Sequence, residues 1–567
     1  MATSTSSSAE ADGARQNLSP SAQAAGSDAV NASNSQAAPP VEASQEEELN
    51  PFRWLILVGL ITAAILEVLD TTIVNVALPQ MAGNLGATTQ EIGWISTGYI
   101  LSNVIVLPMT AWLASRFGRK RYLSGSIILF LIASFFCGTS GSLSELVLWR
   151  IIQGAGGAAL LSTAQATIRE IFPREQQGTV QSIYVLGIIT APTLGPTLGG
   201  YITDNYSWPW VFFVNLPVGA ISLALVASFL TDGKHKIATT RVDWWGVGLL
   251  TVGLGSLQYV LEEGNTEDWF QSATISRLAI AAAVCLTSFI AWELWPGNTQ
   301  PVVNLRVLKN RDLSAALTLF LALGFGLYGG VFIFPLFAQN ILGFTPTITG
   351  LVLMPGAIAT GVSAILSGRL LGGSKPLLDP RVLIAFGMGL FVLSMWDLGH
   401  LTSVSGEPDA RLALIVRGFG LGCLFTPINL AALSSLKGAE IAQGASLLNL
   451  MRQLGGSFGI ACLGTLITNS TASHRAMLAT HLYVGNPVVE ERLHLLQGAL
   501  IARGYDALSA QQGALSILER TIRVQATVMS YNEAFLFIGL TVVLVSPCVL
   551  LLRPRKGGAP AAQADAH

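Results

Sequence analysis

Two acidic residues, Glu67 and Asp70, lie inside an apolar run from about 54 to 78. A run of that length crosses a hydrocarbon layer of ~30 Å as a helix, and a spacing of three places both carboxyls on one helix face. A carboxylate at that depth is costly unless it is protonated, paired or hydrated, so by default it indicates a functional site. The first hypothesis is therefore proton-coupled transport. The alternative is a structural carboxylate that a neighbouring helix satisfies.

The composition indicates a polytopic membrane protein. Of 567 residues, 51% are hydrophobic and only 11% are charged, against roughly 25% in a soluble domain. The net charge of −2 gives no indication of a nucleic-acid partner. All five cysteines fall in apolar runs without zinc-like spacing, so we expect neither a metal site nor disulfides.

About fourteen apolar runs are long enough to be membrane-spanning helices, and none shows the alternation of a β-barrel strand. They lie near 54–78, 91–114, 122–140, 144–168, 178–202, 210–230, 244–261, 276–295, 313–338, 347–370, 381–399, 411–434, 443–468 and 531–552. The sequence thus predicts an all-α membrane protein. Residues 1–50 are polar and low in complexity, and we expect them to be a disordered cytoplasmic tail. Residues 554–567 are expected to form a second cytoplasmic tail.

Basic residues gather in alternate loops. They include Arg116, Arg119, Lys120, Arg121, Arg169, Arg174, Lys234, Lys236, Arg241, Arg306, Lys309, Arg311, Arg369, Lys375, Arg381, Lys437, Arg553, Arg555 and Lys556. The intervening loops hold almost none, and the one at 262–268 is acidic. The positive-inside rule then places both termini in the cytoplasm, which agrees with an even number of helices.

A weak internal repeat predicts two related halves. Arg150 begins a helical segment rich in small residues, and Arg417 begins a similar one, each followed by a helix that ends in a similar pattern. Such repeats place a site between the halves. The predicted boundaries are 51–230 and 311–553 for two six-helix bundles, with two inserted helices in 231–310.

Arg150 is the expected partner of Asp70. Arg150 lies about six residues from the outer end of its helix, and Asp70 about eight from the outer end of the first, which corresponds to depths of ~9 and ~12 Å. An ion pair at that depth would explain how the membrane tolerates both charges. The alternative is structural anchoring.

A basic turn at 111–121 contains Arg116, Gly118 and Arg119. It could hold the cytoplasmic end of a neighbouring helix, whose carbonyls carry partial negative charge, and so gate the inner side. Alternatively, its charge only sets topology. The turn resembles the G-x-x-x-D-R-x-G-R-K loop of the major facilitator superfamily, with Ala111 in place of the glycine and Ser115 in place of the aspartate.

The segment 187–200 combines prolines, which kink helices, with glycines, which permit close approach of another helix. We expect a bent element at an interface between the halves. The residues concerned are Gly187, Pro192, Gly195, Pro196, Gly199 and Gly200. The segment resembles the G-P-x-x-G-G motif that accompanies exporters in the superfamily, and Leu148–Gly156 resembles the family's fourth-helix motif, whose arginine is tied to proton movement.

Together with 69–79 and 208–219, these segments resemble the fourteen-helix drug:proton antiporter branch over residues 52–553. The resemblance implies export of drugs or toxic metabolites from a bacterial cytoplasmic membrane, driven by the proton gradient without a cofactor. Asp70, Glu67 and Arg150 would then couple protons to transport. The nearest alternative is export of one endogenous metabolite, such as a siderophore or lipid; more distant alternatives are a receptor without flux and an intramembrane hydrolase using Ser457.

Polar and aromatic residues within apolar helices are candidates for the substrate cavity, although such residues also bond helix to helix. They are Asn75, Gln153, Asn429, Asn449, Arg452, Gln453, Phe325 and Tyr328. Ser457 lies in a G-x-S-x-G pattern, but close helix packing explains that pattern better, because a nucleophile elbow needs a strand-turn-helix context. No P-loop or H-E-x-x-H motif occurs, so ATP-driven pumping and zinc proteolysis lack their chemical parts.

Residues 470–530 form a predicted extracytoplasmic connection with two amphipathic helical segments. A connection of that length in a compact protein is usually functional. It either docks a periplasmic adaptor, which would lead to an outer-membrane channel as the resemblance implies, or caps the outer mouth.

Overall fold

The computed structural model describes residues 51–231, 243–298, 301–371, 377–483 and 485–553. These residues form eighteen α-helices and no strand. In chain order the helices are α1 Arg53–Leu85, α2 Thr89–Ile92, α3 Trp94–Val106, α4 Thr110–Phe117, α5 Arg119–Thr139, α6 Leu143–Ile171, α7 Arg174–Asn205, α8 Trp210–Phe213, α9 Asn215–Phe229, α10 Trp244–Glu263, α11 Ala273–Leu294, α12 Arg311–Asn340, α13 Pro346–Leu371, α14 Pro380–Leu398, α15 Glu407–Ser434, α16 Ala439–Ala479, α17 Pro487–Ile501 and α18 Ala507–Val545.

Thirteen helical segments of the described chain are long and apolar enough to cross a membrane. Helix α7, with 32 residues, corresponds to a further predicted span. The all-α prediction of about fourteen spans is therefore confirmed. The predicted tails and the basic residues at 234–241, 375, 555 and 556 lie outside the described residues.

Local sequence signals explain where several helices begin and end. Helix α1 ends at Gly86, which adopts a φ of +63° that suits glycine. Gly118, with a φ of +89°, makes the tight turn between α4 and α5. The side chains of Asp243 and Asp506 cap the first backbone N–H groups of α10 and α18. These glycine turns and aspartate caps mark where one helix ends or the next begins.

The helices form two bundles with an additional helix pair. Helix α1 packs on α6, α7 and α9, and α6 also packs on α3 and α5. In the second bundle α15 lies between α13 and α14, while α12 packs on α16 and α18. Of the inserted pair, α10 contacts α3 and α16, and α11 packs on α10. The two bundles meet where α7 packs on α13 and α6 packs on α16.

The connection predicted at 470–530 is almost entirely helical. Helix α16 has 41 residues, a length of ~60 Å, which exceeds a hydrocarbon layer of ~30 Å. Helix α18 has 39 residues, and α17 packs against it. The helices therefore continue past the apolar runs 443–468 and 531–552 that predicted them, because amphipathic turns extend each helix.

Candidate functional site

Asp70, on α1, is fully buried and bound by three side chains from α6 and α9. Nη1 of Arg150 lies 2.5 Å from Oδ2 of Asp70. Nε2 of Gln153 and Nδ2 of Asn215 donate to Oδ1 at 3.1 and 2.8 Å. The structure thus contains the Asp70–Arg150 ion pair that depth alone suggested. It also shows how the carboxylate is tolerated, because both its oxygens are hydrogen-bonded.

Further contacts hold the partners of Asp70 in place. Ser134 Oγ, on α5, accepts from both Gln153 and Asn215 and donates to the carbonyl of Phe212 at 3.0 Å. Nε of Arg150 donates to the carbonyl of Ile95 at 3.0 Å. The Asp70 cluster, defined as Asp70, Arg150, Gln153, Asn215 and Ser134, therefore joins α1, α5, α6 and α9. A proton added to Asp70 would weaken contacts among four helices together.

Sequence reasoning missed two members of this cluster. Asn215 stands in the 208–219 pattern that resembles the family, yet nothing in one sequence shows that its amide faces the first helix. Ser134 is one serine among many in apolar helices. Gln153 was placed in the substrate cavity, whereas it bonds Asp70 and Arg150 and is fully buried.

Glu67 occupies a different environment from Asp70, one helical turn away. Its carboxylate accepts from Asn103 Nδ2 at 3.3 Å and from the backbone N–H of Leu161 at 3.1 Å. It is buried, and no cation among the described residues lies within ion-pair distance of it. Arg452, in the second bundle, interacts with it electrostatically from further away. The two acids share a helix face but have separate partners.

Arg452 is a buried cation without a carboxylate partner within ion-pair distance among the described residues. Its Nη1 donates to the hydroxyl of Tyr328, and its guanidinium lies 5.6 Å from the centre of that ring. Nε of Arg452, Oη of Tyr99 and Oδ1 of Asn103 are buried and have no hydrogen-bond partner in the described part of the chain. Because such orphaned atoms are costly, this region is a candidate ligand site.

Asn429 and Asn449 were expected to line the cavity, and the structure places them in a contact between helices instead. The side chain of Gln165, on α6, donates to Asn429 on α15 and accepts from Asn449 Nδ2 on α16 at 3.1 Å. Both asparagines are buried. Their positions follow from the junction of three helices, which a single sequence does not reveal.

The remaining predicted cavity residues differ in exposure. Asn75 is exposed; it donates to the carbonyl of Thr71 at 3.2 Å and accepts from Ser96 Oγ. Gln453 is half-buried. Phe325 is also half-buried, with its ring 6.1 Å from that of Phe537 in the same bundle.

The basic turn contacts the end of α6 through the carboxylate of a side chain rather than through the helix carbonyls. Arg119 forms an ion pair with Glu170, in the last turn of α6. Arg116 lies over the ring of Trp112 at 5.8 Å. Ser115, in place of the family's aspartate, donates to the carbonyl of Trp112 at 2.7 Å. The turn therefore holds a neighbouring helix through Arg119.

The glycines of α7 pack on α1 rather than across the bundle interface. A Cβ on Gly199 would lie 2.7 Å from the carbonyl oxygen of Ile73, Gly195 directly contacts Thr72, and Gly187 faces side chains of α1. Gly200 lies further away, with only Val76 within reach. The side chains of Pro192 and Pro196 lie outside the described residues.

A different part of α7 contacts the second bundle. Gly368, near the end of α13, packs directly on Ser182 and the carbonyl of Gly178. The expectation of an inter-bundle interface therefore holds for α7 as an element. It is wrong for the contacts of Gly195 and Gly199, because α1 packs on the same helix.

Comparison with known proteins agrees with this architecture. The family model described as Major Facilitator Superfamily matches residues 60–460. The chain belongs to the major facilitator superfamily. Among solved structures, the human organic anion transporter MFSD10 has the same fold: the match has a TM-score of 0.53 at 13% identity and covers 87% of this chain and 99% of that one.

Two bacterial members of the superfamily are similar along most of their length. Multidrug export protein EmrB of Haemophilus influenzae is 33% identical over 497 residues, covering 86% of this chain and 94% of the relative. Fatty acid resistance protein FarB of Neisseria gonorrhoeae is 33% identical over 502 residues, covering 88% and 96%. This major facilitator protein is thus similar to EmrB-type exporters in sequence.

Proposed function

We propose that this protein exports hydrophobic or cationic small molecules across a bacterial cytoplasmic membrane in exchange for protons. The Asp70 cluster is the observation that carries the proposal, because an acid whose hydrogen-bond network joins four helices can convert proton binding into helix movement. The multidrug export activity in the name of the EmrB relative supports the substrate class.

The proposed coupling step is neutralisation of Asp70. With Asp70 charged, Arg150 and Asn215 hold α1 against α6 and α9. Protonation of the carboxyl removes its charge and weakens the charge-assisted bond to Arg150. The movement of α1 also involves α7, since Gly195 packs closely on Thr72 and Gly199 on the backbone of Ile73.

Contacts near the basic-loop end support an alternating-access mechanism. Gln165 joins α15 and α16 there, Ser446 Oγ donates to the carbonyl of Leu107 at 2.6 Å, and Gly368 packs on α7. By the positive-inside rule this end faces the cytoplasm. We infer that the structure is closed on the cytoplasmic side, and that these contacts separate when substrate enters.

A second candidate substrate class is amphipathic carboxylates, and Arg452 is the observation that favours it. A buried guanidinium with an orphaned Nε, next to the hydroxyl of Tyr328, can bind a carboxylate through charge-assisted hydrogen bonds. The name of the FarB relative refers to fatty acid resistance. This candidate agrees with the alternative of a lipid-like metabolite.

The hydrolase alternative has no structural support. Ser457 lies within α16, and its Oγ accepts from Gln258 Nε2 at 2.8 Å. The strand that precedes a nucleophile elbow is absent from the described residues.

The extended helices α16, α17 and α18 are compatible with docking of a periplasmic adaptor, and adaptor docking remains part of the proposal.

Replacement of Asp70 by Asn tests the coupling role. We expect Asp70→Asn to abolish proton-driven transport in proteoliposomes with an imposed pH gradient, while the protein still folds and inserts. The matched control is Glu293→Gln, which neutralises another buried acid on the inserted helix α11. Undiminished proton-driven transport by Asp70→Asn would overturn the proposal, as would equal loss in both variants.

A further inference from the structure

A cleft lies where α4 and α5 meet at the basic-loop end of the first bundle. It has a volume of about 470 Å³ and is lined by Arg116, Phe117, Arg121, Tyr122, Gly125 and Leu129, together with Ser126. We call it the α4–α5 cleft. A water molecule takes ~30 Å³ of liquid volume, so the cleft has room for much more than one inorganic ion.

The end of the cleft nearest the turn is cationic. Arg121 is exposed, Arg116 lies on the ring of Trp112, and the lining side chains in the described chain include no acid. The hydroxyl of Tyr122 is buried beside the side chain of Ser126. Two guanidinium groups next to a tyrosine hydroxyl are suited to a phosphate.

The other end of the cleft is apolar and open to lipid. Leu129 is eight residues after Arg121 on α5, which is ~12 Å along the helix. It is 40% exposed, and the neighbouring Ile128 and Ile132 are 44% and 47% exposed. Gly125 lies between the two ends, with open space where a side chain would project. A ligand that fills the cleft therefore has an anionic head and a hydrocarbon chain.

We propose that the α4–α5 cleft binds an anionic phospholipid of the cytoplasmic leaflet. The headgroup phosphate lies between Arg116 and Arg121, within reach of the Tyr122 hydroxyl, and an acyl chain follows Gly125 and Leu129. Basic pockets at the cytoplasmic side of membrane helices have this preference. The site is outside the Asp70 cluster, so a bound lipid stabilises the turn that carries Arg119 without occupying the candidate transport site.

Lipid binding to the purified full-length protein tests the proposal, with phosphatidylglycerol and phosphatidylcholine as probes in native mass spectrometry and thermal unfolding. We expect Arg121→Gln to weaken phosphatidylglycerol binding about fivefold, as for one basic side chain near a membrane surface. Gly125→Leu should also weaken this binding, because the added side chain fills the cleft. Phosphatidylcholine binding should not change.

Two matched variants serve as controls. Gly389, on α14, is also exposed with open space around it, and Arg369 is an exposed arginine at the same end of the protein. Gly389→Leu and Arg369→Gln should retain wild-type lipid binding. Equal loss in the controls would overturn the proposal, because binding would then be a general surface effect.

Inorganic phosphate separates a lipid site from a free-anion site. Millimolar phosphate alone should give less thermal protection than phosphatidylglycerol, because it lacks the chain that contacts Leu129. Equal protection by phosphate, abolished by Arg121→Gln but not by Gly125→Leu, would assign the cleft to a soluble anion and refute a lipid. Unchanged phosphatidylglycerol binding in both cleft variants would also refute it.

Discussion

Arg150 and Arg417 begin equivalent segments of the two bundles, yet only Arg150 has an acidic partner among the described residues. Arg150 is 1% exposed and pairs with Asp70 on α1. Arg417 is 4% exposed, donates to the carbonyl of Leu327 at 3.1 Å, and leaves its Nε without a partner. Both bundles therefore have a buried guanidinium at this position, but among the described residues only Arg150 forms an ion pair with an acid.

Gly330 explains why Arg417 has no equivalent acidic partner among the described residues of the second bundle. This residue of α12 faces Arg417, and a Cβ there would lie 2.7 Å from Nη2. Helix α12 is therefore too close for an aspartate side chain to face the guanidinium in this arrangement. The comparison teaches that a buried arginine in a repeated motif has two separable uses. Arg150 participates in charge chemistry, and Arg417 joins α15 to α12 through a backbone carbonyl.

Replacing each arginine by methionine should give the largest contrast. Arg150→Met leaves the Asp70 carboxylate buried without a cation, which costs about 3–5 kcal/mol when one partner of a buried pair is removed. Arg417→Met removes a charge without an acidic partner among the described residues and one hydrogen bond to a backbone carbonyl, so we expect a much smaller loss of stability. Thermal unfolding and proton-driven transport of both variants measure this difference. Similar losses would show that Arg417 is as important as Arg150 and would break the comparison.

The extent of sequence-based prediction follows the same contrast. Asp70 and Arg150 could be paired from the sequence because charges are rare in apolar runs and helix rise fixes their depths. The missing partner of Arg417 could not be predicted, since it depends on how closely α12 approaches α15. For Asn429 and Asn449 the sequence left both alternatives open for a related reason: an amide in an apolar helix is compatible with either a cavity or another helix. Sequence periodicity predicts the membrane-spanning helices and the depth of each residue. It does not predict which neighbouring helix a side chain contacts, because that depends on tertiary packing.

Asn215 sharpens the comparison within the first bundle. Asn215→Leu removes the 2.8 Å hydrogen bond to Asp70 but leaves Arg150 and Gln153 in place. We expect a loss of about 1–3 kcal/mol in unfolding free energy, because one acceptor loses a buried donor, and a reduced maximal rate of proton-driven transport. The control is Asn532→Leu, which removes an amide bonded to the carbonyl of Leu401 outside the cluster. Equal transport rates in both variants would limit the functional cluster to Asp70, Arg150 and Gln153.

Replacing Glu67 by Gln should have the smallest effect on transport, because Glu67 lies outside the Asp70 cluster. We expect it to determine whether the candidate ligand site near Arg452 prefers cationic or anionic substrates. Its carboxylate, held by Asn103 and Leu161, is the acid that interacts electrostatically with Arg452. Glu67→Gln leaves the positive charge of Arg452 uncompensated in a medium where charges interact more strongly than in water.

We therefore expect export of permanently charged lipophilic cations to weaken, with KM rising about tenfold, equivalent to ~1.4 kcal/mol. Export of neutral uncouplers and weak acids should be spared. Transport assays with one substrate of each kind measure the ratio, and Glu262→Gln, at a half-buried acid on α10, is the control. Equal losses for both substrate types would assign Glu67 to the proton path or the scaffold instead. Selectivity would then depend on Arg452 and Tyr328 alone.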